Sequence, residues 1–233
     1  MICLIANGRS GTNALYYNLF KLPEGYTTKE PWKNSKLHSD FSFKSKKRMC
    51  KELGMFHIKP KQHCKLGPKE TIDLLLKHGV KDFVILKRMN VLALLVSDAF
   101  LKKYTNEKNQ VTITKEFFSY GVRCFYKFED ACLNYLKEKQ KDNPEIKFLK
   151  LIYEDHIKKE VSVACNMVKE TFSCLPESKY RKKPPKEQEL PRHARNNSIQ
   201  DTRTLEEKLE NIDDVRKFLG KKHIWMLEKT FKD

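Results

Sequence analysis

Short apolar runs alternate along this chain with longer segments in which apolar residues recur at helical spacing. The runs are typical of strands buried on both faces of a parallel sheet, and the longer segments of amphipathic helices. They predict strands at residues 2–6, 53–59, 82–87 and 146–152. They also predict a helix after the first strand that carries Leu15, Leu19 and Phe20 inward, and helices at about 90–104, 114–141, 158–172 and from 204 to a stop at Gly220.

Strands that alternate with helices predict an α/β fold of three layers, in which a central parallel sheet is flanked by helices. A length of 233 residues suits one domain, so we assign residues 1–233 to a single domain. Its C-terminal part, residues 179–233, is predicted to be a basic loop followed by helices. Sheets of this kind bind ligands at the carboxyl ends of their strands, where we expect the functional site.

The composition is that of a folded protein with a heavily solvated surface, since 39% of the residues are hydrophobic and 33% are charged. No apolar run is long enough to cross a bilayer, and the first residues lack the basic leading region of a signal peptide. The seven cysteines are scattered without paired spacing. We therefore expect a cytoplasmic protein without a membrane span, whose thiols are reduced and mostly buried.

The formal net charge of +17 attracts polyanions, so nucleic acid has to be considered beside a small phosphorylated ligand. Basic residues are spread over nearly every segment and are densest at 179–203, where three prolines predict a loop. The chain has no recognisable element for reading nucleic acid, such as paired zinc ligands or an aromatic surface motif. A nucleic-acid-binding protein that grips phosphates with segment 179–203 is therefore the alternative function, and we expect nucleic acid not to be the partner.

The most informative motif joins the first strand to its helix, in the segment 4–15. Gly8 and Gly11 permit a tight turn, so that backbone N–H groups converge on phosphate-like oxygens at the start of the helix. Ser10 and Thr12 add hydroxyl donors to this loop, and Arg9 adds a planar cation. The phosphate loop of nucleotide triphosphatases has a lysine after its second glycine. This chain lacks that lysine, which argues against a third interpretation, a magnesium-dependent small-molecule kinase.

A second motif begins where the third predicted strand ends, at Arg88. The helix that follows carries Ser97 about two turns further on. An arginine at a strand terminus and a serine on the next helix can clamp a second phosphate beside the first loop, with the guanidinium supplying paired donors.

These two motifs resemble the 5′-phosphosulfate loop and the 3′-phosphate motif of sulfotransferases that use 3′-phosphoadenosine-5′-phosphosulfate (PAPS). The resemblance is to the carbohydrate-type branch, which includes the nodulation-factor and trehalose sulfotransferases. Residues 151–155 (Leu-Ile-Tyr-Glu-Asp) and the C-terminal segment 199–219 are similar to further parts of that branch. The chain departs from the pattern at Ile199, where the family usually has lysine, and either Arg195 or Arg203 could supply the missing cation.

The resemblance implies a P-loop-like fold and transfer of a sulfuryl group from PAPS to a hydroxyl or amine of a carbohydrate or small-molecule acceptor, with PAP as product. It implies that the cofactor contacts Arg9, Ser10, Gly11, Thr12, Asn13, Arg88 and Ser97, together with Arg195 or Arg203. Arg9 would also stabilise charge on the leaving bridging oxygen. We expect no metal to be required, because side-chain cations and backbone amides carry the electrostatic task.

A catalytic base is needed to take a proton from the acceptor. Glu30, in Lys-Glu-Pro-Trp, resembles the carboxylate that serves this purpose in the carbohydrate branch, and His57 and His63 are the alternatives. Lys59 resembles a lysine on the next strand of the family and is expected to line the acceptor pocket. A zinc site at His57, His63 and Cys64 is not expected, because no second cysteine pair completes the ligand set.

Overall fold

Four parallel strands form the sheet at the centre of the part of the chain that the structure describes. The strands are β1 Ile2–Ala6, β2 Met55–Ile58, β3 Asp82–Lys87 and β4 Lys147–Ile152. Their order in space is β2-β1-β3-β4. This computed structural model describes residues 1–20, 30–32, 36–48, 50, 54–59, 65–172 and 203–228, without the side chains of Tyr17, Phe125 and Tyr126. The predicted parallel sheet is confirmed.

The register of the strands brings their carboxyl ends to one edge. Ala6 lies opposite Leu86, and Ile5 lies opposite Ile58. The residues that follow β1, β2 and β3 therefore emerge side by side, as do those that follow β4, where Ile152 lies opposite Lys87. This edge holds the predicted phosphate loop.

The helices follow the predicted alternation with strands, although several were not predicted. They are α1 Thr12–Phe20, α2 Asp40–Lys44, α3 Pro68–Lys77, α4 Val91–Leu101, α5 Lys115–Asp142, α6 Val161–Thr171, α7 Ile212–His223 and α8 Trp225–Glu228, with a π-helical turn at Tyr153–Ile157. Sequence reasoning missed α2, α3, α8 and the π-helical turn. It predicted the other helices with ends close to the observed ones, apart from the late start of α7.

Helices cover both faces of the sheet, so the core has two main parts. On one face, α3 and α5 pack on the sheet around the buried Phe56, Phe83 and Leu136. On the other face, α1 and α6 pack around Leu4 and Leu15. The predicted three-layer arrangement is therefore present.

A third apolar cluster joins α4 to the C-terminal helices. The side-chain amide of Asn211, just before α7, makes two hydrogen bonds with the backbone of Ile113. Its Oδ1 accepts from the Ile113 N–H at 3.1 Å, and its Nδ2 donates to the Ile113 carbonyl at 3.0 Å. The helical path of α7 breaks at Gly220, whose φ is +55°, as the predicted stop requires. The C-terminal segment from 205 to 227 thus packs against the helix that carries Ser97.

Among the cysteines that the structure describes, none forms a disulfide bond. Cys3, Cys50, Cys132 and Cys165 are buried, and Cys124 is half-buried. Burial raises the pKa of Cys50 to about 12, so its thiol stays protonated near neutral pH. Within the described residues, no helix is both long enough and apolar enough to span a bilayer.

Candidate active site

The loop between β1 and α1 is shaped by two residues in the left-handed backbone region. Gly11 has a φ of +78°, and Arg9 has a φ of +63°, which is unusual for a residue with a side chain. At Gly8 the backbone is not left-handed, and a Cβ would meet nothing within 4 Å. The turn therefore requires glycine at Gly11 rather than at Gly8, and part of its strain lies at Arg9.

Gly11 also packs directly against the π-helical turn after β4. A Cβ at Gly11 would lie 2.6 Å from Cδ2 of Tyr153 and 2.9 Å from Cγ2 of Ile157. A Cβ therefore does not fit in that space unless Tyr153 and Ile157 shift. The glycine thus lets the loop rest on the Tyr153 ring.

Ser10 lies at the centre of the loop and is fully buried. Its Oγ has no hydrogen-bond partner among the described residues. Buried hydroxyls usually have a partner, so this atom is one that a ligand could satisfy. Thr12 is also buried, at the first turn of α1, and Asn13 beside it is exposed.

Arg9, Arg88 and Ser97, the predicted anion contacts from two separate motifs, come together at this edge. Arg9 Nε donates to Ser97 Oγ at 2.8 Å, and Arg88 Nη1 donates to the Arg9 carbonyl at 2.7 Å. The Arg88 guanidinium lies over the Tyr153 ring, 4.7 Å from its centroid. Burial lowers the pKa of Arg88, while nearby Tyr153 and Glu154 raise it. An arginine keeps its charge under such conditions.

The Tyr-Glu segment at 153–154, noted only as a resemblance, has a structural explanation. The two carboxylate oxygens of Glu154 accept from the backbone N–H groups of Met89 and Asn90, each at 2.9 Å. Asn90 in turn caps α4 through Ala93 N. Tyr153 supports Arg88 while Glu154 fixes the loop that carries it.

Glu30 and Lys59 also come together, beside the carboxyl ends of β1 and β2. Lys59 Nζ lies 2.6 Å from Glu30 Oε1, and His57 Nδ1 lies 3.5 Å from the same oxygen. The Glu30 side chain is 11% exposed and that of His57 is 1% exposed. The predicted base and one of its alternatives are therefore neighbours in one group.

His57 connects this group to the phosphate loop. Its Nε2 lies 3.0 Å from the carbonyl of Ala6, the last residue of β1. Because a carbonyl only accepts, Nε2 carries the proton, and in the neutral ring the lone pair on Nδ1 faces Glu30. Burial lowers the pKa of His57, which favours this neutral ring. Lys59 is then the charged partner of Glu30.

Sequence reasoning missed a second buried carboxylate, Glu129 on α5, on the other side of the loop. Its Oε1 accepts from the backbone N–H of Asn7 at 3.1 Å and from the side-chain amide of Asn7 at 2.8 Å. A signal was present, because Glu129 precedes the buried Cys132, Leu133 and Leu136 at helical spacing. A charged residue on the apolar face of a helix indicates a specific partner.

Several predicted residues lie outside the described part of the chain: His63, Cys64, Arg195 and Ile199, with most of segment 179–203. Arg203 is described, and its guanidinium lies over the Phe100 ring at 5.6 Å from the centroid. Phe100 follows Ser97 by about one turn of α4, on the same side of the helix. Within the described residues, no group of three or more His, Cys, Asp or Glu side chains could hold a metal ion.

Comparison of the chain with models of protein families, with curated proteins and with solved structures gives no match. The interpretation of the site therefore depends on its own geometry.

Proposed function

We propose that this protein is a PAPS-dependent sulfotransferase that transfers a sulfuryl group to a hydroxyl or amine of a carbohydrate or small-molecule acceptor. The observation that carries the proposal is that Arg9, Arg88 and Ser97 contact one another at the sheet edge that also holds the group of Glu30, Lys59 and His57, which His57 joins to the end of β1. A site for a doubly charged nucleotide thus adjoins a carboxylate that can take a proton.

The residues of the loop fit an anionic group. The buried Ser10 hydroxyl has an unused hydrogen-bonding capacity, and the Gly11 backbone leaves no Cβ at the point of closest packing. The start of α1 adds the positive end of its helix dipole. Ser10, Gly11, Thr12 and Asn13 would hold the 5′-phosphosulfate, while Arg88 and Ser97 would hold the 3′-phosphate.

PAPS, when bound, supplies an activated sulfuryl group, and its transfer releases PAP. Arg9 belongs to the loop and its guanidinium contacts Ser97, so its charge would lie between the two phosphate-binding regions and stabilise negative charge on the leaving bridging oxygen. Arg88 and Ser97 would distinguish a nucleotide with a 3′-phosphate from ordinary adenine nucleotides.

Glu30 would accept the proton of the acceptor at a carboxylate oxygen. Lys59 holds Oε1 of that carboxylate by an ion pair. His57 Nδ1 packs 3.5 Å from the same oxygen, and its Nε2 is anchored on the Ala6 carbonyl, so the ring forms a fixed wall beside Glu30. Positioning by residues of the sheet edge is the main contribution of the chain to this step.

Calorimetry with the full chain tests the proposal by comparing PAP with ADP at one ionic strength. PAP should bind roughly tenfold more tightly or better, because charge-assisted contacts to the 3′-phosphate are absent for ADP.

Incubation with PAPS that carries radiolabelled sulfur, without magnesium, should label an acceptor from a panel of sugars and small alcohols or amines. Magnesium-dependent preference for ATP would indicate a kinase instead. Salt-sensitive retention on a polyanion without any response to PAP would indicate a nucleic-acid-binding protein.

A further inference from the structure

The buried carboxylate of Glu129 lies under the start of the phosphate loop. Asn7, which Glu129 holds at two points, is the first residue after β1 and directly precedes Gly8 and Arg9. Asn7 is 2% exposed and Glu129 is also 2% exposed. Any change at Glu129 therefore acts on the backbone from which the loop starts.

Both Asn7 donors reach the same carboxylate oxygen, Oε1. A proton on the other oxygen leaves both of these hydrogen bonds intact, since Oε1 still accepts. The arrangement is thus compatible with a neutral glutamic acid as well as with a carboxylate. The difference between the two forms is one buried negative charge beneath the loop.

The charged groups that face Glu129 come from two elements. On β3, Lys87 favours the ionised form, and on α5, the neighbouring Asp130 opposes it. Lys87 Nζ is already engaged by both Asp130 oxygens at 2.6 Å, which limits its effect on Glu129. Asn7, just after β1, does not titrate, and its hydrogen bonds to Glu129 favour the ionised form. Burial is the largest cause and raises the pKa of Glu129 to about 8.

We propose that Glu129 is a positioning residue that holds the phosphate loop through Asn7, and that its loss of a proton places a charge under the loop that weakens anion binding there. The second part rests on the proposed function. The sign follows from linkage: an anion in the loop favours the protonated acid, so anion affinity is full below the pKa of Glu129 and falls as the pH rises through it. The phosphates of PAP are already ionised over this range, since a phosphate monoester loses its second proton near pH 6.

The test uses the full chain, Glu129→Gln and Asp130→Asn at pH 7.0 to 9.0. The first readout is the amide NMR signal of Asn7 without ligand. In the parent chain it should titrate with a midpoint near pH 8, the value to which burial raises the pKa of Glu129, and in Glu129→Gln it should not move. An Asn7 signal that stays still in the parent chain, or that titrates equally in Glu129→Gln, overturns the proposal.

The second readout is PAP affinity. It should fall at least roughly fivefold from pH 7 to pH 9 in the parent chain and stay level in Glu129→Gln. Asp130→Asn removes one negative charge from the neighbouring residue, and PAP affinity should still fall with pH in this variant. The midpoint of that fall should move to lower pH, because Asp130 raises the pKa of Glu129 in the parent chain. Equal pH dependence in the parent chain and Glu129→Gln overturns the coupling. Absence of PAP binding at every pH contradicts the proposed function instead, and the Asn7 titration then decides whether Glu129 governs the loop.

Discussion

The two halves of the candidate site differ in how their charges are balanced. In the arginine half, the contacts of Arg9 and Arg88 include a hydroxyl, a carbonyl and an aromatic ring, and one carboxylate, Glu154, lies near Arg88. In the carboxylate half, Glu30 is paired with Lys59 at 2.6 Å. Two arginines beside one carboxylate leave a net positive charge that an anion can neutralise, whereas the pair of Glu30 and Lys59 is close to charge-neutral as a group. The proposed function accordingly assigns anion binding to the first half and proton transfer to the second.

A second group of one carboxylate, one lysine and one histidine lies elsewhere in the structure and can be compared with the Glu30 group. Asp40 lies 2.5 Å from Lys77 Nζ and 3.4 Å from His78 Nε2. The Asp40 side chain is 41% exposed and lies at the start of α2. The Glu30 group is more buried and is joined to β1 through His57. Composition alone therefore does not distinguish a functional carboxylate from a surface one.

The largest expected effect comes from Glu30→Gln, which separates the two halves by removing the base. Turnover should fall roughly 10²- to 10⁴-fold, because the amide cannot take the acceptor proton. PAP affinity should change little, since the arginine half is intact. Steady-state rates with labelled PAPS and calorimetry with PAP measure the two quantities on the same preparation.

Asp40→Asn is the matched control, because it removes a carboxylate from a lysine and a histidine outside the site. Its turnover should stay close to that of the parent chain. Full activity in Glu30→Gln would show that another residue is the base and would leave the carboxylate half without its assigned chemistry.

The next largest effect is expected from Gly11→Ala, which disturbs the contact between the loop and the ring that supports Arg88. The left-handed backbone costs roughly 1 to 2 kcal/mol for a residue with a Cβ, and the clash with Tyr153 adds about 1 to 3 kcal/mol. Chemical denaturation should show the sum as a lower free energy of unfolding. Gly79→Ala is the control, since Gly79 has a φ of +82° but an open Cβ position, and it should show the backbone cost alone. Equal losses in both variants would mean that the packing on Tyr153 contributes nothing.

Much of this fold could be predicted because local patterns and tertiary packing agree. The strands 2–6 and 82–87 were predicted with their observed ends, since uninterrupted apolar runs of that length suit buried parallel strands. The helix α3 was missed although its signals were present: Pro68 stands at its first turn, and Ile72 and Leu75 are buried at helical spacing. The π-helical turn after β4 carried no such pattern.

The site was less predictable, because its geometry depends on contacts between distant segments. The sequence predicted that Arg88 and Ser97 act together beside the loop of Arg9, but it did not predict the hydrogen bonds through which Arg9 joins the other two. Nor does any local pattern place Asn7 against Glu129, which lies more than a hundred residues away along the chain. A sequence motif predicts which residues are functional, whereas the residues that they contact on neighbouring strands and helices are determined by the order of the strands in the sheet.

The smallest effect of the three is expected from Arg88→Ala, which tests the arginine half alone. PAP affinity should weaken by roughly 2 to 3 kcal/mol, the range for a lost charge-assisted contact. Arg216→Ala is the control for net charge, because Arg216 is a half-exposed arginine on α7 that pairs with Glu206 at 2.9 Å. Calorimetry should find the PAP affinity of Arg216→Ala almost unchanged.

If both variants lose affinity equally, general attraction by the basic surface explains binding. If neither loses affinity, Arg88 does not contact the nucleotide. A loss confined to Arg88→Ala, with ADP affinity unaffected, would assign Arg88 to the 3′-phosphate, because ADP lacks that group.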